Sequence, residues 1–334
     1  MKKSLIYLFS LLCMLTLVTS CSDDEKGGTD DAWKEISKDY TSDKLSIGTV
    51  STSGTISVNA ASADKATIIL NNVVAGESSV SVDATLTKTD AGYAFEGEST
   101  ATTCNVKVSG TIENGKLTAA ISRTLTSALA GTLNLNYVPY MNDMQIAQAH
   151  ARFNTGDAQM DAMLNGMAAP VVGQLIAKEV ESVTVNLGEE GTFSFSFKKV
   201  GASEETVMPP AKLQEMIKSY LTWYEKENVL YLAVHKDALT ILSGLNILPE
   251  NIDLETILGL LTVEGDYYTI PLQVKEEDGL IRIYLDKDIL VKAWEVVKPF
   301  VDKIPGDNMQ AILDMINKVM TSAKEIEVGL VFKK

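Results

Sequence analysis

The stretch "VSVDATLT", residues 80–87, alternates strictly between apolar and polar side chains. Successive side chains of a β-strand point to opposite faces of the sheet, so a period of two marks a strand with one buried face. We therefore predict that this stretch is one strand of an antiparallel sheet. The face predicted to be buried carries Val80, Val82, Ala84 and Leu86.

Further alternating stretches lie on both sides of this strand, between residues 41 and 138. They include "KLTAAISR" at 116–123 and "GTLNLNY" at 131–137, and turn sequences such as "TDAG" and "ENG" separate the strands. About eight short strands with short connections predict an antiparallel meander, and its closure into a barrel would remove the exposed edges. We predict a β-barrel-like domain over residues 41–138.

The pattern changes after Pro139, and we predict a second, α+β domain over residues 139–334. From about residue 156 the apolar residues recur at steps of three and four, which predicts a helix. Thr155 or Asp157 is a candidate N-cap, and Pro170 predicts a kink or a split of this helix. The apolar face of the predicted helix carries Met160, Met163, Leu164, Met167, Val171 and Leu175.

Three hairpins and a final strand are predicted to form an antiparallel sheet or barrel in this second half. The strands are "SVTVNL" (182–187) with "TFSFSFK" (192–198), "LTWY" (221–224) with "VLYLAV" (229–234), "YYTIPLQV" (267–274) with "LIRIYL" (280–285), and the terminal "EIEVGLVF" (325–332). Helices are predicted between them, over 236–245, 253–261, 288–301 and from 307 onward. The predicted fold class is mainly β, with an α+β second half.

The sequence "LVTSCSDDE", residues 17–25, predicts where the protein is located. Lys2 and Lys3 precede an apolar run that is too short to span a bilayer, which predicts a signal peptide over residues 1–20. The run ends in Val-Thr-Ser-Cys, which is similar to the lipobox of bacterial lipoproteins, so we expect lipidation of Cys21 after cleavage. Residues 21–40 are predicted to be an acidic flexible tether.

The acids that follow Cys21 refine the expected location. The Ser-Asp-Asp-Glu sequence is similar to the export signal of surface-exposed Bacteroidota-type lipoproteins. We therefore expect a Gram-negative outer-membrane protein, lipid-anchored at the cell surface. Two or three acyl chains hold a protein stably at a membrane, whereas one holds it only marginally.

The charge balance argues against nucleic acid as a partner. The chain has 29 basic and 44 acidic side chains, a net charge of −15. Loss of Lys2 and Lys3 with the signal peptide leaves 27 basic side chains against 44 acidic ones, or −17. A surface this negative repels phosphate backbones. The expected contact with a membrane is the lipid anchor.

The sequence contains no catalytic or cofactor motif and no metal-ligand spacing. His150 and His235 lie near no nucleophile motif, and we expect each to be exposed or to cap local structure. Asp286 and Asp288 are the best carboxylate pair for hydrolysis, but we expect them to start the following helix. Cys104 alternates with valines in "CNVKV", which predicts a buried, unreactive thiol. We predict a non-enzymatic protein without a cofactor or metal.

Two groups of side chains are candidates for ligand contacts. Methionine adapts to varied apolar surfaces, so methionines on a helix fit an apolar ligand or partner, although packing of the helix onto the sheet is the favoured interpretation. Aromatic side chains near hairpin ends fit stacking on sugar rings or packing in the core. The candidate ligand-binding residues are Met160, Met163, Met167, Phe193, Trp223 and Trp294.

Several segments of the chain resemble a known group of proteins. In the first half these are "DYTSDKLSIG" (39–48), "KVSGTIENGKLTAAIS" (107–122) and "AGTLNLNY" (130–137), and in the second half "GTFSFSFKK" (191–199), "ENVLYLAV" (227–234) and "EVGLVFKK" (327–334). The first half resembles the calycin-like (lipocalin-like) β-barrel domains of Bacteroidota-type surface lipoproteins, and the later segments resemble their second half. The resemblance implies a barrel that often holds a small apolar ligand, but it transfers no ligand-binding residue by position.

These observations together predict a lipid-anchored envelope protein that binds a small apolar ligand or a protein partner without catalysis. The alternative from the aromatic residues is a glycan-binding accessory module of an outer-membrane nutrient uptake system. A hydrolase that uses Asp286 or Asp288 with another carboxylate is a third hypothesis, and a structural or adhesive subunit is a fourth.

Overall fold

A computed structural model describes residues 31–48, 51–210, 219–239, 258–301 and 309–334 of the chain. Its contacts form two compact units, Met1–Ala32 and Trp33–Lys334, and the fold described below lies in the second. The predicted signal peptide, Cys21 and most of the predicted tether lie outside the described residues.

An eight-stranded sheet, which forms a nearly closed barrel, takes up the first part of this unit. Its strand order is β1-β3-β4-β5-β6-β7-β8-β2, and neighbouring strands are antiparallel except for β2 and β8. The predicted mainly-β fold and barrel-like sheet are confirmed. The strands are β1 (Asp39–Thr41), β2 (Leu45–Ile47), β3 (Thr55–Ser62), β4 (Lys65–Val74), β5 (Glu77–Lys88), β6 (Gly92–Thr100), β7 (Cys104–Glu113) and β8 (Lys116–Leu125).

The segment over residues 39–47 nearly closes the barrel. Strand β1 pairs with β3 at one end of the sheet, and strand β2 pairs in parallel with Leu117–Ala119 of β8 at the other end. A single 3-10 turn, Ser42–Lys44, joins β1 to β2. Tyr40 is fully buried, and its hydroxyl donates to the carbonyl of Ile36 at 3.1 Å. Two short strands that are consecutive in the chain therefore bridge the two edges of the sheet.

Apolar side chains fill the inside of the barrel. The predicted buried face of β5 is buried, while the alternate residues of "VSVDATLT" are exposed. Cys104 is buried in the same core as a free thiol, as predicted, and burial raises the pKa of this thiol. Fully buried barrel residues include Ile56, Val58, Ile68, Leu70, Val82 and Val106.

The second sheet has eleven strands. Its main path runs β15-β14-β13-β9-β21-β20-β19-β17-β16, with β12 paired to β21 and β18 paired to β19. The predicted hairpins and the terminal strand are present within it. The strands are β9 (Gly131–Leu135), β12 (Ala149–Asn154), β13 (Val180–Leu187), β14 (Phe193–Lys199), β15 (Thr206–Met208), β16 (Leu221–Lys226), β17 (Val229–His235), β18 (Thr262–Glu264), β19 (Tyr267–Glu277), β20 (Leu280–Leu285) and β21 (Glu325–Lys333). A separate pair is formed by β10 (Tyr137–Pro139) and β11 (Gln145–Ala147).

Strand β9 belongs to the second sheet, although its sequence continues the alternating pattern of the first half. It lies between β13 and β21, where Leu133 pairs with Val185 and Leu135 with Phe332. Alternation specifies that a strand has a buried face but not which strand it pairs with. The buried residues of the barrel and of this part of the second sheet form one continuous core cluster.

The described residues form four helices, and the three long ones, after the first, pack on or beside the second sheet. They are α1 (Ala32–Glu35), α2 (Ala158–Glu179), α3 (Lys287–Val301) and α4 (Met309–Ser322). The predicted N-cap Asp157 accepts from the backbone amides of Gln159 and Met160. Of the helices predicted over 236–245 and 253–261, the structure describes only the helical turn 237–239 and the end at 258.

Pro170 is predicted to kink or split its helix, and the split is wrong, because α2 continues through this residue as one helix. Proline removes the hydrogen bond to the carbonyl four residues earlier, and its ring crowds that carbonyl. In α2 that earlier residue is Gly166, which is exposed and has open space around it. Solvent can therefore satisfy the freed carbonyl.

Candidate functional site

A cleft of about 650 Å³ opens beside the barrel at its seam, the line where β2 and β8 meet. Strand β2 pairs only with Leu117–Ala119, so residues 120–125 of β8 lack that neighbour. These residues, the irregular end of β4 at 72–75 and parts of the second sheet enclose the cleft. We call it the seam cleft. Its size falls in the range of small-molecule sites.

The walls of the seam cleft combine apolar and charged side chains. None of the fully buried barrel residues, such as Ile68, Leu70 and Val106, lines it. It is therefore separate from the packed core of the barrel. Its apolar and aromatic lining includes Ile47, Val73, Ile121, Leu221 and Tyr267, and its ionisable lining includes Lys107, Arg123, Glu190, His235 and Asp266.

Arg123 lies where the barrel meets the second sheet. It follows Leu117, Ala119 and Ile121 along the inward side of β8, and it is partly buried. Its Nη1 donates to the carbonyl of Ala75 at 2.9 Å, and its Nη2 donates to the hydroxyl of Thr222 and to the carbonyl of Trp223. Burial lowers the pKa of its guanidinium. Arginine nevertheless remains charged in proteins.

Gly191 makes room for this guanidinium. A Cβ atom at residue 191 would lie 2.4 Å from Nη2 of Arg123 and 2.7 Å from Oγ1 of Thr222. Its φ of +83° also favours glycine. The carbonyl of Gly191 accepts from the Thr222 hydroxyl at 3.0 Å and from the amide of Trp223 at 2.9 Å. The hairpin turn between β13 and β14 thus holds Arg123 and Thr222 in place.

Two serine–aspartate pairs lie at the rim of the seam cleft, where Ser51 and Asp266 belong to its lining. Ser51 donates from its amide and its hydroxyl to Asp237, both at 2.8 Å. Ser53 donates from its amide at 2.7 Å and from its hydroxyl at 2.6 Å to Asp266. The nearly buried Asp266 also pairs with Lys236. Each pair ties the loop before β3 to the second sheet.

The environment of Asp266 stabilises its charged form. Burial acts to raise the pKa of this carboxyl, but hydrogen bonds from Lys236 and Ser53 outweigh it and lower the pKa to about 2. Asp266 is therefore a carboxylate with its charge already balanced by Lys236, which suits a structural role at the rim.

His235 connects to the same rim. It is only 2 % exposed, and Tyr267 packs edge-on against its ring with 5.1 Å between the ring centroids. Its Nδ1 accepts from the amide of Asp237 at 3.2 Å, which is the capping contact expected from the sequence. Burial is the main cause that lowers the pKa of His235.

This arrangement is not that of a serine nucleophile. The hydroxyls of Ser51 and Ser53 donate to carboxylates, whereas a nucleophilic serine donates to a histidine that acts as base. Within the described ranges, no group of three or more His, Cys, Asp or Glu side chains could hold a metal ion. The lining of the seam cleft can offer a ligand hydrogen bonds, charge and apolar contact.

The candidate methionines lie away from this cleft, on α2. Met160 packs against the small core cluster around Ile326, while Met163 and Met167 are 45 % and 60 % exposed. Val171 and Leu175 continue this exposed row at intervals of four residues. The helix therefore both packs onto the sheet and exposes an apolar face.

The aromatic candidates have different surroundings. Trp223 is fully buried, and its indole N–H donates to the carbonyl of Gly188 at 2.9 Å, so its ring is a core group. Phe193 is partly buried against the main core cluster. Trp294 lies on α3 and donates to Asn317 of α4 at 2.7 Å.

Asp286 and His150, which the sequence analysis also considered, bond to other residues of the fold. Asp286 accepts from the amide of Ile289 at 3.3 Å, as expected for a residue that starts a helix. His150 was expected to be exposed or capping, but it is 17 % exposed and bonds to Glu327 across the sheet at 2.7 Å. That expectation is wrong because β12 pairs with β21, which places the two side chains on one face.

Sequence reasoning missed Arg123 and the serine–aspartate pairs. One local signal for Arg123 was present, because the alternation of "KLTAAISR" places this cation on the predicted apolar face. The serine–aspartate pairs join residues 186 and 213 positions apart, and no local pattern encodes them.

Comparison of the chain with protein-family models, curated proteins and solved structures finds no match. Among the described residues, no helix has both the length and the apolar character needed to cross a bilayer.

Proposed function

We propose that this chain is a lipid-anchored outer-membrane protein, exposed at the cell surface, that binds a small ligand in the seam cleft without catalysis. The observation that carries the proposal is the cleft of about 650 Å³ between the barrel seam and the second sheet. Binding pockets combine apolar walls with a few fixed polar groups, and this lining has both.

The packing of the barrel supports the seam cleft as the site. The inward side chains of β3 to β8 are buried against one another, and the seam cleft opens beside them. Serine–aspartate pairs and the contacts of Arg123 hold parts of its lining in place. A site with fixed walls loses little conformational entropy when a ligand binds.

The anchoring proposal rests on the lipobox-like sequence that ends at Cys21. Acyl chains on this residue would hold the folded unit at the membrane through a short acidic tether. The test is Cys21→Ser, followed by cell fractionation and labelling with a radioactive fatty acid. Wild type should label and partition with detergent, while the variant should do neither. A variant that still partitions with detergent would contradict the anchor.

The ligand proposal is tested on residues 32–334 by mass spectrometry of small molecules that copurify with the folded protein. Thr124→Trp places a large side chain on the wall of the seam cleft, and Thr118→Trp places the same side chain on the same exposed side of β8 outside the cleft lining. A bound species should be lost in the first variant and kept in the second. Retention in both, or no bound species in wild type, would count against the seam cleft.

A second candidate is glycan binding, as the alternative from the sequence. A groove on the barrel surface adjoins the seam cleft, and hydroxyl and carboxylate groups of the kind that bond sugar hydroxyls line it, among them Asp83, Thr85, Glu96, Glu98, Ser109 and Ser122. Affinity electrophoresis in gels that contain polysaccharides tests it. Retardation that Thr85→Trp removes would support this candidate, and unchanged mobility in all gels would reject it.

A further inference from the structure

We propose that the ligand of the seam cleft is a small apolar molecule with a carboxylate, and that Arg123 binds this carboxylate. The inference deepens the proposed function and rests on it, because it assigns a chemical class to the ligand of the same cleft.

The first support is the set of partners of Arg123. All three described acceptors are neutral oxygens, from Ala75, Thr222 and Trp223. A guanidinium has five N–H donors, and these contacts use three of them. The other two donors have no acceptor among the described residues, and Arg123 belongs to the lining of the cleft that a ligand would enter.

The second support is the balance of charge. Within the part of the chain that the structure describes, no ion pair joins Arg123 to a carboxylate. Glu77 lies near enough to favour its charge, but the carboxylate of Glu77 bonds to Thr103 instead. Lys236 and Ser53 already engage Asp266, the buried carboxylate of the lining. A partly buried cation with only neutral hydrogen-bond partners keeps a cost of desolvation that an anion can offset. An anionic ligand would therefore gain a charge-assisted hydrogen bond.

The third support is that the protein as a whole does not attract anions. Its net charge is −15, so the long-range field repels a negative molecule. Binding of an anion must then depend on a cation in the lining of the cleft. Arg123 is such a cation, and three hydrogen bonds hold it in position. Lys107, the other basic residue there, is exposed and pairs with Glu98 at 3.2 Å.

The remaining walls specify the rest of the ligand. Ile47, Val73, Ile121 and Leu221 present partly exposed apolar surface to the same cleft. An inorganic anion would leave this surface in contact with water, whereas an apolar chain attached to the carboxylate would cover it. This combination selects an amphipathic carboxylate over a free inorganic ion.

The test compares sodium decanoate with 1-decanol, which has the same chain length and no charge, by isothermal titration of residues 32–334. Wild type should bind decanoate about tenfold or more tightly than 1-decanol, as a charge-assisted hydrogen bond predicts. Arg123→Met should lose this preference and retain its affinity for 1-decanol. Lys107→Met, the matched control, should retain the preference.

The outcomes separate this inference from the proposed function. Equal wild-type affinity for the two compounds, or a preference that survives in Arg123→Met, would overturn the role of Arg123 while leaving a ligand-binding cleft. Binding of neither compound would also overturn the inference, and the copurification test with Thr124→Trp would still decide the cleft. If circular dichroism shows that Arg123→Met is unfolded, Arg123→Gln replaces it, because glutamine keeps an N–H donor without the charge.

Discussion

Ser53 and Asp266 are joined by two hydrogen bonds, from the serine amide at 2.7 Å and from its hydroxyl at 2.6 Å. The first residue precedes β3 of the barrel, and the second precedes β19 of the second sheet. Ser51 and Asp237 repeat this two-bond pairing on the same rim. In each pair the aspartate therefore fixes both the backbone and the side chain of its serine at the rim of the seam cleft.

Asp266→Asn should destabilise the protein at neutral pH and matter less in acid. The folded state holds the pKa of Asp266 at about 2, below its ordinary 3.8, so its contribution is complete above pH 3.8 and is lost as the pH falls through 2. A shift of this size corresponds to about 2 kcal/mol. Urea unfolding of wild type and variant at several pH values between 7 and 3 would measure how the difference in their free energies of unfolding changes with pH.

The control for this pH dependence is Asp90→Asn, at an exposed turn position. It should change the free energy of unfolding by less than about 0.5 kcal/mol. A difference between wild type and Asp266→Asn that stays constant from neutral pH to pH 3 would show that the charge of Asp266 does not stabilise the junction.

Gly191→Ala should move the guanidinium of Arg123 and weaken decanoate binding. The new Cβ would lie 2.4 Å from Nη2, and the end of a flexible side chain gives way more readily than backbone does. Gly201→Ala is the matched control, because its φ of +77° imposes the same backbone strain but no atom lies within 4 Å of the new Cβ.

Both glycine variants should lose about 1–2 kcal/mol from the left-handed backbone conformation. Gly191→Ala should lose about 1 kcal/mol more from disturbed hydrogen bonds, and only this variant should bind decanoate less tightly. Chemical unfolding and titration measure the two effects. Equal behaviour of the two variants would contradict the role given to Gly191.

His235 should remain neutral at pH values where an unfolded histidine is already protonated. Burial lowers its pKa below the ordinary 6.5, so the unfolded state binds more protons and stability falls as the pH drops below that value. NMR titration of the ring protons measures this pKa, and His150→Gln assigns the two histidine signals. His235→Gln should remove this part of the pH dependence of unfolding. A His235 signal that titrates above 6.5 would contradict the prediction.

Leu86→Ala should cost about 2–5 kcal/mol, because it removes a side chain from a packed interior. Leu86 is 3 % exposed on the inward face of β5, while its neighbour Thr87 is exposed on the outer face. Thr87→Ala should therefore change stability by less than about 0.5 kcal/mol. Urea unfolding of the two variants measures the contrast, and similar costs at both positions would argue against a packed barrel.

Local patterns in the sequence were sufficient to predict most of the strands. The alternation of residues 80–87 gave both the strand and its buried face, since a period of two depends only on neighbouring residues. Asp157 and Asp286 were recognised as helix starts for the same local reason. The partner of each strand was harder to predict. The apolar–polar alternation of β9, for example, would be the same in either sheet.

The seam cleft could not be predicted, because it depends on contacts between distant parts of the chain. Thr222 lies 99 positions from Arg123, and Asp266 lies 213 positions from Ser53. The methionines of α2 were prominent in the sequence, but spacing alone did not show which of them pack onto the sheet and which remain exposed.

The bridging segment 39–47 has a consequence for the order in which the barrel is completed. Leu45 is synthesised early, but its partner Leu117 follows only after five intervening strands, β3 to β7, have been made. Pairing over such a separation requires the closure of a long loop, so it forms after the local hairpins. The segment over residues 39–47 is synthesised before the rest of the barrel, and it is therefore the last segment to reach its final pairing.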